Sequence, residues 1–459
     1  MPVTLIHRKT ALVVILSVQL MLAMDFLIVV VSLKDIQADL GLNSANLSWI
    51  PNAFGLAFGG LLLLGGRLGD LMGQVKAFQI GLAIFVLASL TGGLALSPSI
   101  LITARVFQGI GSAMAAPSVL ALVTIMARNE EEKNRGLSLF IAVSSIGASV
   151  GLILGGALTA FISWRWSLLI NVPIGALAFT AIPFIVPETI KVKGKLDLFG
   201  ALTGAFGSTA LVFGFISTGE NGWTSLITLS SFFSAALLFT LFVRIESKIA
   251  EPLLKLSILK PKPRRGGLAV MAVICGMHFA TLFLILQYFQ QVLNYNPLLA
   301  GCAYLPLTAT VFIMSNFIPG LVTRFGVRLL LITGSVLVAA SLVGFSQLNS
   351  KSTYIGDVLL PLLVHSIGVA LVFIPGSIVI LDEIDDQDAG IASGILQISQ
   401  QIGGAIGIAA ITSIYTTGLQ SQDFSSGLNT AFLVAAGIST LGVLITLFTI
   451  PGKTIKGNI

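Results

Sequence analysis

Apolar stretches long enough to cross a lipid bilayer follow one another along almost the whole chain, separated by short polar segments. A helix needs about 20 mainly apolar residues to span the hydrocarbon core of a membrane. The pattern therefore predicts an all-α, polytopic membrane protein with fourteen transmembrane helices. The predicted spans are 11–33, 47–66, 77–96, 99–126, 136–162, 166–186, 197–217, 226–244, 267–290, 300–322, 328–346, 355–380, 390–414 and 428–450.

Composition agrees with a membrane protein. Of 459 residues, 55% are hydrophobic and 10% charged, and the mean hydropathy is +0.99. Soluble domains carry about 25% charged residues, so this chain has too few polar residues to cover a soluble core. We expect no enzyme, because the sequence has no phosphate-binding loop, no His/Cys metal set and no soluble catalytic domain. We likewise expect no cofactor, no metal and no nucleic-acid partner.

The distribution of basic residues predicts the orientation. If the N-terminus lies inside, 21 of the 25 Lys and Arg residues fall in inner segments. Inner loops of membrane proteins are enriched in Lys and Arg, and a missing or extra helix would scramble this asymmetry. We therefore expect both termini inside, in the cytoplasmic membrane of a bacterium.

The longest inner loops, at 187–196 and 245–266, flank two predicted spans. They suggest a six-helix bundle at 1–186, a linker with two inserted helices at 187–265, and a second six-helix bundle at 266–459. A weak internal repeat agrees with two related halves.

The repeat follows the second helix of each half. GRLGDLMGQVK ends at Lys76, PGLVTRFGVRL ends at Leu329, and their alignment places Gly73 opposite Gly326. Parallel repeats of six helices around a central site are a transporter architecture.

Ordered motifs along nearly the whole chain resemble the major facilitator superfamily, and specifically its 14-helix drug:proton antiporter family. They are Gly66-x-Leu68-x-Asp70-x-x-Gly73-x-x-Lys76, Leu101-x-x-x-Arg105-x-x-Gln108-Gly109-x-Gly111, Trp164-Arg165-Trp166 with Asn171-Val172-Pro173-Ile174-Gly175, Asp197-x-x-Gly200, Glu246 with Pro252-Leu253-Leu254, Gln287-Tyr288-x-x-Gln291, and Ser393-Gly394 with Gln401-Ile402-Gly403-Gly404. The resemblance implies the major facilitator fold and proton-coupled export.

Two of these motifs have roles implied by the family. The first would latch the two halves on the cytoplasmic side, through Gly66, Arg67, Asp70, Gly73 and Lys76. The helix that opens near Ala389 could hold the Asp70 carboxylate at its N-terminus. The alternative is a tight turn that only needs its glycines.

The antiporter motif of the fifth helix is represented by Gly147, Gly151, Gly155 and Gly156, but its usual Gly-Pro is absent. Small residues at this spacing permit close helix packing. The missing proline leaves symport or uniport as alternatives to antiport.

Asp25 is the charged residue of the first span, and Arg105 lies at matching depth in the fourth. Charged groups at membrane depth are costly and generally functional. A nearby arginine favours a carboxylate and burial favours the protonated acid, so such a group can bind and release a proton. We expect Asp25 and Arg105 to couple protons or to contact substrate; the alternative is a static ion pair.

His278 and His365 lie near mid-membrane in a half without membrane carboxyls. Because histidine titrates near neutral pH, we expect a second protonation role, the alternative being two hydrogen-bonded core histidines.

Neutral polar residues in the second half suit a large, apolar and adaptable substrate cavity. With Asp25 and Arg105, the predicted cavity residues are Gln287, Tyr288, Gln291, Asn316, Gln397 and Gln401. The acidic segment 382–388 is either a solvated loop or an electrostatic partner of basic loops, with no calcium-loop spacing.

The sequence favours a monomeric antiporter that exports amphipathic drugs or metabolites against inward proton flow. The alternatives are a dedicated exporter of one neutral or anionic metabolite such as a siderophore, a symporter or uniporter of the same fold, and a non-transporting membrane sensor or scaffold.

Overall fold

The computed structural model describes residues 5–42, 47–126, 129–187, 197–249, 252–254, 256–382, 384, 389–419 and 424–452. Within these ranges the regular structure is entirely helical. The α-helices of the first half are α1 Leu5–Ile28, α2 Leu33–Leu40, α3 Trp49–Met72, α4 Gln74–Gly93, α5 Pro98–Ile125, α6 Glu130–Phe161, α7 Trp166–Leu169 and α8 Asn171–Ile185.

Eight further α-helices follow within the described ranges. They are α9 Leu198–Asn221, α10 Leu226–Glu246, α11 Lys262–Gln291, α12 Pro297–Cys302, α13 Leu305–Phe345, α14 Leu359–Leu381, α15 Ala389–Leu419 and α16 Phe424–Thr449. Short 3-10 helices occupy Val30–Ser32 and Leu256–Leu259, and a π-helical turn, Tyr354–Val358, precedes α14.

The chain divides into two compact units. The first contains Met1–Ala205, Lys248–Leu253 and Tyr295–Ala303, and the second contains the remaining residues. The short helix α12 therefore belongs to the first unit although it follows α11 in sequence. The predicted boundaries at residues 186 and 265 remain predictions.

Twelve helices in the described part of the chain are long and apolar enough to cross a membrane. Two predicted spans, 300–322 and 328–346, lie on either side of Gly326, where the non-helical backbone divides α13 into two helical parts. In α6 the described apolar stretch, Val150–Phe161, is shorter than a membrane span and is not among the twelve. The all-helical membrane fold is confirmed, whereas the count of fourteen and the orientation remain predictions.

Gly73 and Gly326, which the sequence repeat places opposite each other, have similar and unusual backbone conformations. Gly73 has φ 101° and ψ 141°, and Gly326 has φ 76° and ψ 157°. This region is accessible almost only to glycine, because a Cβ atom would clash with the backbone. The internal repeat is therefore present at this bend in both units.

The apolar core of the first unit joins α1, α4, α5 and α8. Ile15, Phe78, Phe85, Leu122 and Ile182 are fully buried within it. These helices bring three positions of the chain together around Asp25: the second half of α1, the first half of α5 and the start of α8.

Candidate functional site

Asp25 and Arg105 form a buried ion pair in the first unit. Arg105 Nη1 lies 2.5 Å from Asp25 Oδ2, and neither side chain has any exposed surface. The predicted proximity of the two charges is therefore present. Buried ion pairs need further hydrogen bonds to compensate for the loss of water, and this pair has several.

Two neutral amides complete the surroundings of the Asp25 carboxylate. Asn171 Nδ2 donates to Asp25 Oδ1 over 2.6 Å, and Gln108 Nε2 donates to the same oxygen over 3.1 Å. An ionised carboxylate is an acceptor only, so three donors on its two oxygens suit the charged form. The carboxylate thereby links α1 to α5 and α8.

Arg105 is fixed by groups from α3 and α5 as well. Its Nε donates to the Ile50 carbonyl over 3.2 Å, and its Nη1 also donates to Gln108 Oε1 over 2.8 Å. The guanidinium lies 4.5 Å from the centre of the Phe54 ring, a distance at which a cation is attracted to an aromatic face. Arg105 therefore contacts groups from three helices, α1, α3 and α5.

Both the oxygen and the nitrogen of the Gln108 side-chain amide form hydrogen bonds within the site. Its oxygen accepts from Arg105, and its Nε2 also donates to Ser89 Oγ on α4 over 2.8 Å. Two buried polar atoms next to Asp25, the donor Arg105 Nη2 and the acceptor Asn171 Oδ1, have no hydrogen-bond partner among the described residues. The site therefore retains one donor and one acceptor for another polar group.

The glycine motif lies against α1 at the level of Asp25. A Cβ atom on Gly151 would lie 2.6 Å from the Met24 carbonyl oxygen, and one on Gly147 would lie 2.5 Å from Ala23 Cβ. Gly155 faces Ile28 in the same way, and Gly156 faces the Pro297 carbonyl of α12. The predicted close packing is present.

The two membrane histidines meet in the second unit. His278 Nδ1 of α11 lies 3.1 Å from His365 Nε2 of α14, and His365 Nδ1 lies 3.0 Å from Ser341 Oγ of α13. Both rings are buried. Their contact depends on the packing of helices far apart in sequence, which hydrophobic periodicity does not reveal.

The predicted latch segment forms the turn between α3 and α4. The Asp70 side chain is exposed and accepts a hydrogen bond from Gln74 Nε2 over 3.1 Å. Gly69 packs against the Gln74 side chain, where a Cβ atom would clash. Gly66 and Arg67 are half-buried and Lys76 is exposed. The local turn is therefore built as the alternative interpretation expects, while the latch remains a prediction.

The predicted cavity residues of the second unit have different hydrogen-bond partners. Gln291 Nε2 donates to Gln287 Oε1 over 2.6 Å, but Tyr288 Oη donates to the Asn349 carbonyl over 3.0 Å. Asn316 is exposed and bonds its own helix at Phe312. The half-buried Gln397 and Gln401 lie one helical turn apart on α15. A role for each in substrate contact remains a prediction.

Asp25 and Arg105 do not line an accessible cavity in this structure, because Gln108, Asn171 and Phe54 enclose them. Sequence reasoning missed the roles of these amides. Gln108 lies three residues after Arg105, on the same helix face, which is a usable signal. Asn171 offers no such signal, because only the packing of α8 brings it to Asp25.

Most of the acidic segment 382–388 lies outside the described residues. Its first residue, Asp382, has a backbone carbonyl that accepts a hydrogen bond from Arg264 Nη2 over 2.5 Å. Arg264 also donates to the carbonyls of Ile380 and Ile258. A role for the acidic segment remains a prediction.

The sequence profile of the Major Facilitator Superfamily matches residues 14–408. The chain is 32% identical over 457 residues to puromycin resistance protein pur8 of Streptomyces alboniger, covering 99% of this chain and 86% of that protein. It is 34% identical over 448 residues to cephamycin export protein CmcT of Amycolatopsis lactamdurans, covering 96% of this chain and 91% of that protein.

A solved transporter structure shares the fold. The inward-open xylose transporter XylE from E. coli matches with a TM-score of 0.65, at 14% identity, over 98% of this chain and 97% of that chain. At this identity the match supports the fold alone. The matched profile and relatives describe membrane transporters and not enzymes.

Proposed function

Because the chain belongs to the Major Facilitator Superfamily, we propose that it is a proton-coupled antiporter that exports amphipathic drugs or metabolites by alternating access. We place it in the 14-helix drug:proton antiporter family, in a bacterial cytoplasmic membrane, as a monomer with both termini inside. The observation that carries the proposal is the Asp25 network, in which one carboxylate contacts side chains from two other helices.

Proton binding to Asp25 would act on this network through charge. A neutral Asp25 no longer compensates the buried Arg105 guanidinium, and leaving a buried charge without its partner costs about 3–5 kcal/mol. The protonated state therefore favours an arrangement in which Arg105 gains water or a substrate group. Since α1, α3, α5 and α8 all contribute to the network, this local change is coupled to helix packing.

The glycine motif and the latch segment would convert that change into alternating access. Gly147, Gly151 and Gly155 let α6 lie directly on the backbone of α1 beside Asp25, so a shift of α1 must move α6. Asp70 and its neighbouring residues would close the cytoplasmic side of the carrier.

The substrate class follows from relatives and from chemistry. Pur8 and CmcT are named for antibiotic resistance and antibiotic export. In the described spans from Lys262 onward the one carboxyl is Asp357, which is exposed near the start of the span Tyr354–Leu381, so a neutral or anionic amphipathic molecule suits this chain better than a dication. Gln287, Gln291, Gln397 and Gln401 would supply adaptable hydrogen bonds to it.

Transport in inverted membrane vesicles tests the proposal, with puromycin and a cephamycin as probes alongside a panel of amphipathic drugs. Asp25→Asn mimics the protonated acid, so we expect it to abolish proton-driven accumulation while substrate exchange continues. Asp39→Asn is the matched control, because Asp39 pairs with Arg165 over 2.6 Å at the surface of the same unit. Full proton-driven accumulation by Asp25→Asn would refute the proposal.

A dedicated exporter of one metabolite is the second candidate, and the unpartnered Arg105 Nη2 beside the site favours an anionic or neutral ligand. The same vesicles distinguish the two. A dedicated exporter accumulates one probe and ignores the rest of the panel, whereas a multidrug exporter accumulates several unrelated ones.

A further inference from the structure

The histidine pair of the second unit has a geometry that differs from that of two packed core rings. The ring centres of His278 and His365 are 5.3 Å apart and the ring planes differ by 18°. The nitrogens are 3.1 Å apart, so the centre separation almost equals this distance plus the two ring radii. The rings therefore meet edge to edge, nearly in one plane, with the hydrogen bond along both rings.

Ser341 gives this hydrogen bond a direction. Its hydroxyl donates to the Val338 carbonyl over 2.7 Å, so its oxygen accepts from His365 Nδ1–H over 3.0 Å. His365 Nε2 is then an acceptor in the neutral ring, and His278 Nδ1–H is the donor to it. The lone pair of His278 Nε2 is therefore the basic position of the hydrogen-bonded row Ser341–His365–His278.

Aromatic rings border the pair. His278 lies 5.9 Å from Phe373, with planes at 81°, and His365 lies 6.4 Å from Phe345. The electron-rich face of an aromatic ring attracts a nearby cation. The surroundings can therefore stabilise one positive charge without a carboxylate.

Other ionisable groups on the helices around the pair do not supply a counter-charge. Judged from the helical rise of about 1.5 Å per residue, the described charged residues of these helices lie about 20–25 Å from the pair, except Asp357, which lies about 12 Å from His365 and has an exposed side chain. They are Lys262, Arg264 and Arg265 on α11 and Arg324 and Arg328 on α13, with Asp357 before α14 and Asp382 after it. The uncharged ionisable side chains are Cys275 and Tyr288 on α11, Tyr304 before α13 and Tyr415 on α15.

We propose that His278 and His365 form one proton-binding site that takes up a single proton and shares it between the two rings. The proton comes from a hydronium ion, binds His278 Nε2 and leaves a water molecule; no other bond need break. The positive charge strengthens the hydrogen bond between the rings, because charge-assisted hydrogen bonds are about twice as strong as neutral ones. A second proton would bind about a hundredfold more weakly, because two charges would then lie about 5 Å apart.

The role of the histidine pair as a second proton site of an exporter rests on the proposed function. The test of proton sharing between the two rings does not. The chain has three histidines, His7, His278 and His365, so ¹⁵N-histidine labelling of His7→Gln protein in lipid nanodiscs leaves two rings to observe. NMR spectra are recorded against pH without substrate and without a proton gradient. Failure of antiport in vesicles and failure of proton sharing are therefore separate results.

Above the titration, we expect both rings to carry their proton on Nδ1. On acidification, we expect the ¹⁵N signals of both rings to shift at the same pH. Together the two shifts should correspond to the uptake of one proton. Replacement of His365 by Gln should weaken proton binding by His278 at least tenfold. Independent titration of the two rings, an Nε2–H tautomer in either neutral ring, or no proton uptake before the protein unfolds would each overturn the proposal.

Two serine variants distinguish the loss of the Ser341–His365 hydrogen bond from a general effect of removing a buried hydroxyl group. Ser341→Ala removes the acceptor that fixes the His365 tautomer, so we expect a mixture of tautomers on that ring. Ser366→Ala is the matched control, because Ser366 is equally buried on α14 but donates only to the Leu362 carbonyl. Equal spectra for the two variants would contradict the claim that Ser341 fixes the tautomer of His365 and the direction of the hydrogen bond between the rings.

Discussion

The contact between Gly151 and α1 offers a quantitative test of how packing supports the Asp25 network. An alanine Cβ at Gly151 would lie 2.6 Å from the Met24 carbonyl oxygen, whereas an ordinary contact begins at 3.4 Å. Gly151→Ala must therefore separate α1 from α6 by about 0.8 Å. Met24 is followed directly by Asp25, so a displacement of the Met24 backbone also shifts the residue that contacts Arg105.

Two effects of opposite sign contribute to the stability of this variant. Alanine is a better helix former than glycine by about 1 kcal/mol, whereas overpacking costs about 1–3 kcal/mol. Gly437→Ala isolates the first effect, because a Cβ atom there meets nothing within 4 Å on α16. We expect Gly437→Ala to unfold at the same or a higher temperature than the parent protein, and Gly151→Ala at a lower one.

Transport should respond more strongly than stability. A displacement of about 1 Å at a reacting group can reduce rates about a hundredfold, so we expect Gly151→Ala to lose about 10- to 100-fold in proton-driven accumulation. Accumulation is measured in inverted vesicles at equal protein content, with Gly437→Ala alongside. If the two variants match in both unfolding temperature and accumulation, α6 does not hold α1 in place and the packing argument is wrong.

Three local predictions concern other parts of the fold. Gly326→Ala should lose about 1–3 kcal/mol of stability through backbone strain alone, since its Cβ would meet nothing, and Gly437→Ala again serves as the control in thermal unfolding. Arg264→Lys should lose about 1–3 kcal/mol, because one ammonium cannot reach three separate carbonyls; an unfolding temperature equal to that of the parent would contradict this. Asp197→Ala should cost about 1 kcal/mol by removing the cap on the Gly200 amide, whereas Asp197→Asn keeps the cap; equal losses would argue against capping.

The sequence was sufficient where a property depends on spacing along one helix. The depths of Asp25 and Arg105 follow from the helical rise, and the glycine spacing predicts a close helix contact. The alignment of Gly73 with Gly326 places both glycines between predicted spans, and the non-helical backbone at Gly326 divides α13 there. In each case the relevant distance is set within one helix or by one repeat.

Properties that depend on which helices pack together were not predictable in the same way. Asn171 reaches Asp25, and His278 reaches His365, only because α8 and α14 occupy particular places in their units. A neutral amide in an apolar span has many equivalent partners in sequence. Tyr288 illustrates the same point, because the partner of its hydroxyl is the backbone carbonyl of Asn349, 61 residues away in sequence.

Proton release from purified protein tests the central claim most directly. A weakly buffered detergent solution is mixed with a transported probe, and the pH change is recorded for the parent protein, Asp25→Asn and Asp39→Asn. We predict stoichiometric proton release from the parent protein and Asp39→Asn, and none from Asp25→Asn. Equal release from Asp25→Asn would show that the coupled proton does not reside on Asp25 and would contradict the account.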